Sequence, residues 1–402
     1  MGKYILVTGG ELFNKGAEAM SFATISEMKN KFPDKEVIFF STHDYARPVE
    51  EKAKFNFTIL PLDNDIIYQL LGGTSRLLWN TYTQVKSSSK SKYRELLPEI
   101  KKLFEDGHAM VDISGYALSS QWGTKKNINY LATISIAEKY GIPHHIMPQS
   151  MGPFEFGTGK QALMDQLIKK NMKYPNIIYA REKEGYKFLT EQYNLKNVVH
   201  SPDLVLLNKK TDLSNIYYEV PEVDNYKDVD GVGIAPNMRN FDYGDSNNIL
   251  ETYKSIVEFL LNKGIKVYLF RHAYEDLEVC RMIKNMFPTD DNVVIFEEEL
   301  TSYEFHALVP HFRFLIGSRY HSIIHAYKNG VPSIALGWAT KYRELLNMFD
   351  QNEYIFDVRH EIDTDDILNA VDKMNESYEA ESNQIKETLL ELQGKNIYDV
   401  IK

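Results

Sequence analysis

The chain has 402 residues, 43% of them hydrophobic and 12% aromatic, which is the composition of a folded globular protein large enough for two domains. Its 46 Lys and Arg against 56 Asp and Glu leave a net charge of −10, the wrong sign for a nucleic-acid partner, whose phosphates demand a basic footprint. The single cysteine, Cys280, excludes an internal disulfide, and no apolar run reaches the roughly 18 residues of a membrane span.

The first ten residues, MGKYILVTGG, are too short in their apolar part for a signal peptide and read as a strand. With the reduced cysteine they place the expected site of action in the cytoplasm, free or peripheral at the inner membrane face. The strand covers residues 3–8. The loop ELFNKGAEA then leads into a helix whose apolar positions Phe22, Ile25, Met28 and Phe32 recur at helical spacing. Residues 36–41 (EVIFFS) read as the next strand, and a β-loop-α-β opening implies a parallel sheet. Asn14, Gly16 and Glu18 stand in the first loop. Asn14 is a candidate substrate contact, whereas Gly16 fits a turn and Glu18 a helix start.

Residues 66–98 are less regular, and SSSKSK (87–92) reads as a polar loop. Strands follow at 108–114, 143–148 and 176–180, with helices near 126–140 and 158–172 between them. Gln149 and Ser150 stand at one strand end and Arg181 at another. SPDLVLL (201–207) closes the first half, and the polar, acidic stretch from 208 to about 230 reads as a linker. The expected domains are therefore 1–207 and 231–375, with a C-terminal helix over 376–402; the tail from Asp363 to about Gly394 reads as helical, with Asp363 or Thr364 able to cap it.

The second half restarts with a strand at 231–236, a loop bearing Arg239, and a helix marked by Ile249, Tyr253, Ile256 and Leu260. The strand 265–270 delivers Arg271 and His272. After a helix (275–286), a strand (292–296) and a helix (301–309) comes FRFLIGSRYHSIIHAYKNGVPSIALGWATKYREL, residues 312–345. It reads as a strand to Ile316, a Gly317-Ser318 turn, a helix from about Arg319 to Asn329, and a strand over 331–336. An arginine and a histidine two residues apart at the start of a βα helix suit an anion site, with His321 able to transfer a proton near neutral pH. Arg181, Arg239, Arg271 and Arg319 all fall at strand ends or in βα loops, the ligand edge of a parallel sheet, and arginine suits phosphate and carboxylate. Lys341 follows the last of these strands and reads equally as a pocket residue or a surface lysine. His321 and His325 have the spacing of a metal pair but no third ligand nearby, and His325 reads as a packed core histidine. No P-loop, GxSxG elbow or clear GxGxxG is present.

The loop NKGAEA (14–19), MPQSMGPF (147–154), YAREKEGYKFL (179–189), SPDLVLL (201–207), GVGIAPNMR (231–239) and, most specifically, IGSRYHSIIHAYKNGVPSIALGWATKY (316–342) together resemble the polysaccharide pyruvyl transferase family. The chain departs from that family's pattern at ISGYALSS (113–120) and at Ala17. The resemblance implies two Rossmann-like αβ domains facing across a cleft, a GT-B-like fold with parallel sheets. It also implies transfer of pyruvate from phosphoenolpyruvate to a saccharide acceptor, free or lipid-linked, as a ketal. It assigns Arg319 to donor binding and His321 to proton transfer, with Gly317 and Ser318 beside the phosphate. Arg181, Arg239, Arg271, His272, Lys341, Asn14, Gln149 and Ser150 are further substrate-binding candidates. No cofactor or metal enters the scheme. A nucleotide-sugar glycosyltransferase on the same architecture and a non-catalytic glycan-binding relative are the alternatives.

Overall fold

The structure, a computed structural model, describes residues 2–72, 90–223, 226–338 and 340–402. Thirteen strands among them build two sheets. The first holds β1 (Tyr4–Thr8), β2 (Glu36–Phe40), β3 (Thr58–Leu60), β4 (Gly107–Asp112), β5 (His144–Gln149), β6 (Ile177–Ala180) and β7 (Val198–His200), in the order 3-2-1-4-5-6-7. The second holds β8 (Gly231–Ala235), β9 (Val267–Phe270), β10 (Val293–Phe296), β11 (Phe312–Gly317), β12 (Ser333–Gly337) and β13 (Ile355–Asp357), in the order 10-9-8-11-12-13. Every pairing within them is parallel.

Both orders follow the doubly wound pattern in which the chain leaves the first strand, winds outward, then crosses back to its other side. The crossing points, β1 against β4 and β8 against β11, are where such sheets open a crevice at their carboxyl ends. Burial explains why the central strands were readable from sequence. Ile5, Leu6 and Val7, like Phe314, Leu315 and Ile316, are fully buried, as a strand covered by helices on both faces must be.

The expected central strands are present with shifts of one or two residues at their ends. Three strands had no counterpart in the sequence reading: β3, β7 and β13. Each has three residues, and two of the three in β7, Val199 and His200, are exposed. The chain near 204–207 is a short helix whose N-cap is Asp203, its carboxylate accepting the Val205 N–H at 2.9 Å. The polar stretch 87–92 lies partly outside the described residues. Among those residues, no helix is long and apolar enough to cross a membrane.

The last long helix runs unbroken from Thr364 to Leu392, close to the 363–394 span that the sequence predicts, and crosses the expected boundary at 375/376. Asp363 caps it by accepting the N–H groups of Asp365 and Asp366. The chain after it returns to the first half: the Tyr398 hydroxyl meets Thr24 Oγ1 at 2.9 Å, and both side chains are buried. Two further contacts tie the first helix to the second half of the chain. Lys15 Nζ donates to Glu299 at 2.7 Å, and the buried Glu18 carboxylate accepts the Ser302 N–H at 2.6 Å. Glu18 thus binds across the interface as well as standing in the first turn of its own helix.

Candidate active site at the meeting of the two sheets

The strand β11 ends at Gly317, and the helix Tyr320–Lys328 begins three residues later. A Cβ on Gly317 would lie 2.8 Å from Ile323 and 2.9 Å from Ser322 Oγ, so glycine lets the helix pack close to the strand. Ser318 is fully buried and fully bonded. Its N–H donates to Ala235 O (2.9 Å), its carbonyl accepts from Asn237 Nδ2 and the Tyr342 hydroxyl (both 3.0 Å), and its hydroxyl pairs with Tyr253 (2.8 Å). These bonds lock the turn and fix where the next residues point.

They point His321 at the first sheet's loops. A Cβ on Gly16 would fall 2.2 Å from His321 Cγ, so the ring lies directly on the Gly16 backbone. His321 Nε2 stands 3.6 Å from Asp203 Oδ2, inside ion-pair range but outside a hydrogen bond. Burial holds the imidazole below its ordinary pKa; Asp203 opposes this, while Arg181 and Lys341 add to it. A neutral ring in the free protein, with a carboxylate poised to stabilise its charged form, is therefore the resting state near neutral pH.

All four strand-end arginines are held by carboxylates. Arg319 Nε and Nη2 donate to the two oxygens of buried Asp276 at 2.9 and 2.7 Å, and Nη2 also to Glu275 at 2.7 Å. Arg181 is buried, donating to Asp203 (2.7 Å), Glu182 (3.1 Å) and Ser150 Oγ (2.6 Å), with its guanidinium 4.5 Å from the Tyr320 ring centre. Arg271 lies 3.8 Å from Glu299, and Arg239 pairs with Asp242 at 3.2 Å. A guanidinium taken out of water needs a counter-charge, which the acidic composition supplies. Lys341 differs. Its ammonium lies 5.2 Å from the Tyr320 ring centre, without an ion pair among the described residues, and burial, aided by Arg181, pushes its pKa down to about 8. Lys341, Arg181, Asp203, Lys183, His200 and Tyr320 line a cavity of about 290 Å³.

A buried histidine supplied by one sheet, its carboxylate by the other, and an uncommitted lysine thus stand together where the two sheets' loops meet. The sequence profile described as polysaccharide pyruvyl transferase matches residues 14–340, which include every residue of this cluster except Lys341. The chain belongs to the polysaccharide pyruvyl transferase family. Its fold is GT-B-like, as the solved structures it resembles show. A glycosyltransferase from Rickettsia africae superposes with a TM-score of 0.55 at 10% identity, over 100% of this chain and 98% of that one. UDP-GlcNAc 2-epimerase from Methanocaldococcus jannaschii gives 0.51 at 12% identity (98% and 93%), and S. aureus MnaA with UDP gives 0.54 at 11% (96% and 91%). No curated protein sequence matches the chain significantly.

Within this pyruvyl transferase-family protein, the remaining sequence candidates separate into distinct places. Ser150 is in the Arg181 network, also donating to Glu182 at 2.8 Å. Asn14 caps the helix Lys15–Lys31, accepting the N–H groups of Gly16 and Ala17, and so sets the position of Gly16 against His321. Gln149 is buried near Tyr130 (3.1 Å) and Asp112 (3.4 Å), in the first sheet's own crevice. His272 is buried edge-on to Phe305 and tilted against His325, ring centres 5.5 and 5.8 Å away; burial keeps it neutral. His325 is likewise buried in that aromatic cluster, a packed histidine.

Sequence reasoning missed Asp203, Asp276 and Glu275, the acids that hold the site's cations, and Asp112. Asp112 is fully enclosed at the end of β4, and burial pushes its pKa up to about 6 against bonds from Ser114 and Gln149. The Gly16 contact makes an immediate prediction. Gly16→Ala should force the His321 ring or the loop to move, costing on the order of tenfold or more in turnover, since an ångström of misplacement is felt strongly in a catalytic site. The melting temperature, measured on the same sample, should fall by only a few degrees. Unchanged turnover would show that the ring position against Gly16 is immaterial.

Proposed function

We propose that the protein transfers pyruvate from phosphoenolpyruvate to two hydroxyls of one saccharide, as a cyclic ketal, in the making of a polysaccharide. The observation that carries this reading is the placement of His321. A titratable imidazole from the second domain lies on a first-domain backbone, flanked by Asp203 and by the uncommitted Lys341. Phosphoenolpyruvate brings a phosphate and a carboxylate, and their negative charge raises the pKa of a neighbouring imidazole toward its acid form. His321 then protonates the methylene carbon. The adjacent carbon becomes electrophilic, one hydroxyl adds to it, the carbon–oxygen bond to phosphate breaks, and the second hydroxyl closes the ring. One proton enters at carbon and two leave the hydroxyls, one restoring His321 and one leaving with phosphate.

In this reading Lys341 holds the donor, and Arg319 contributes through Nη1, which lies outside its bonds to Asp276 and Glu275. Arg181 anchors Asp203 beside His321, whereas Arg239 and Arg271 are engaged by Asp242 and Glu299 and take no assigned part. The acceptor side is the first domain. Its crevice between β1 and β4 holds a cavity of about 300 Å³ lined by Thr8, Glu11, Asp112, Ser114 and Tyr130, polar and within the size range of small-ligand sites. The acceptor is a saccharide, free or lipid-linked, met on the cytoplasmic side.

The test is incubation with phosphoenolpyruvate and a panel of mono- and disaccharides, reading phosphate release and the pyruvylated product by mass spectrometry. Acceptor-dependent phosphate release is expected. Consumption of a nucleotide sugar, with phosphoenolpyruvate untouched, would replace this reading with glycosyl transfer.

A further inference from the structure

A third cavity, of about 450 Å³, lies on the side of the interface where the chain crosses from the first sheet to the second. Its apolar wall is made by Ala19, Phe22, Leu213 and Ala307. Its polar part is cationic: Lys209, Lys210 and Lys328 line it, and no described Asp or Glu does, in a protein of net charge −10. Lys328 is half-buried. Its ammonium reaches only the Lys209 carbonyl, at 3.4 Å, and has no carboxylate partner among the described residues. Asn208 is 7% exposed, and its Oδ1 accepts from Thr211 while Nδ2, buried in the same wall, has no partner among the described residues. A buried donor left unbonded is costly and is commonly satisfied by what the site binds.

We propose that this cavity is a second ligand site for an organic anion, a phosphate or carboxylate head on a compact apolar body. The head lies between Lys328 and Asn208 Nδ2, and the body lies on Phe22 and Leu213. The walls are continuous with the active site. Helix Lys15–Lys31 carries Gly16 at its start and Phe22 in the cavity, while helix Tyr320–Lys328 carries His321 at one end and Lys328 at the other, about 10 Å along the axis. The segment from Asp203 to Asn208 joins them. An occupant therefore acts on the three elements that bring Gly16, Asp203 and His321 together.

Hexyl phosphate is a suitable probe, titrated by calorimetry into the full-length protein, with hexanol and inorganic phosphate as controls. Binding with Kd below about 1 mM is expected, at least about tenfold tighter than either control. Lys328→Met, which keeps the stem and removes the charge, and Ala307→Leu, which fills the apolar end, should each weaken it by about tenfold or more. Either folded variant binding as tightly as the unaltered protein, or no binding by the unaltered protein, overturns the proposal; should Lys328→Met fail to fold, Ala307→Leu decides alone. Binding is read without turnover, so the outcome is independent of the reaction the active site performs.

Discussion

Replacing His321 with glutamine is expected to lower phosphate release from phosphoenolpyruvate by about 100- to 10,000-fold, the range a positioned acid contributes. Glutamine is close to histidine in size and still carries an N–H, so the contact with Gly16 and the pairing of Asp203 with Arg181 can persist. What it lacks is a proton to give to carbon. The fold should therefore survive, with a melting temperature within a few degrees of the unaltered protein. Donor binding, measured by calorimetry, should stay within about tenfold, because Lys341 and Arg319 are untouched. A variant that binds the donor and does not turn it over is the signature of a lost acid. Near-normal turnover would remove His321 from the mechanism, whatever the rest of the site does.

How much of this was legible in the sequence differs between backbone and side chains. The strand-turn-helix-strand unit around Gly317 was readable because each signal in it is local. Phe314, Leu315 and Ile316 form a doubly buried strand, Gly317 permits close packing, and an apolar run at helical spacing follows. The same locality made both doubly wound halves visible. Three-residue edge strands such as Val198–His200 carry no such signal, since one covered residue in three is no pattern.

Side-chain partners were mostly illegible because they are remote in sequence. Arg319 and Asp276 lie 43 residues apart, and Glu18 and Ser302 lie 284 apart. An arginine at a strand end looks like a free anion binder until its carboxylate is placed. Lys341, which read equally as a pocket residue or a surface lysine, lines a cavity beside Tyr320, and no carboxylate holds it among the described residues. The motif singles out His321, but which charges remain to meet a substrate is a property of the folded charge network.

That network makes Asp203→Asn the second decisive change. Burial, Arg181 and Lys341 depress His321, and Asp203 is what opposes them. Removing the carboxylate charge must therefore lower the His321 pKa further. If the imidazolium is the working acid, kcat/KM falls as pH rises through the free enzyme's His321 pKa. In the variant this alkaline limb moves to lower pH, costing about tenfold at neutral pH for each unit it moves and recovering as the assay is acidified. The same substitution takes a counter-charge from buried Arg181, though Glu182 and Ser150 remain bonded to it. A stability loss on the order of 1–3 kcal/mol is expected, below the full cost of orphaning a buried charge. Its pH dependence has a defined sign. Burial alone would raise the Asp203 pKa, but His321, Arg181 and the Val205 N–H hold it well below the ordinary carboxylate range. Its contribution to stability is therefore present above about pH 4, the unfolded value, and fades as pH falls below it, so the two proteins should converge in acid. A profile that does not move shows that Asp203 only anchors Arg181. A limb that rises with pH instead makes His321 a base, and the proton to carbon must then come from another group.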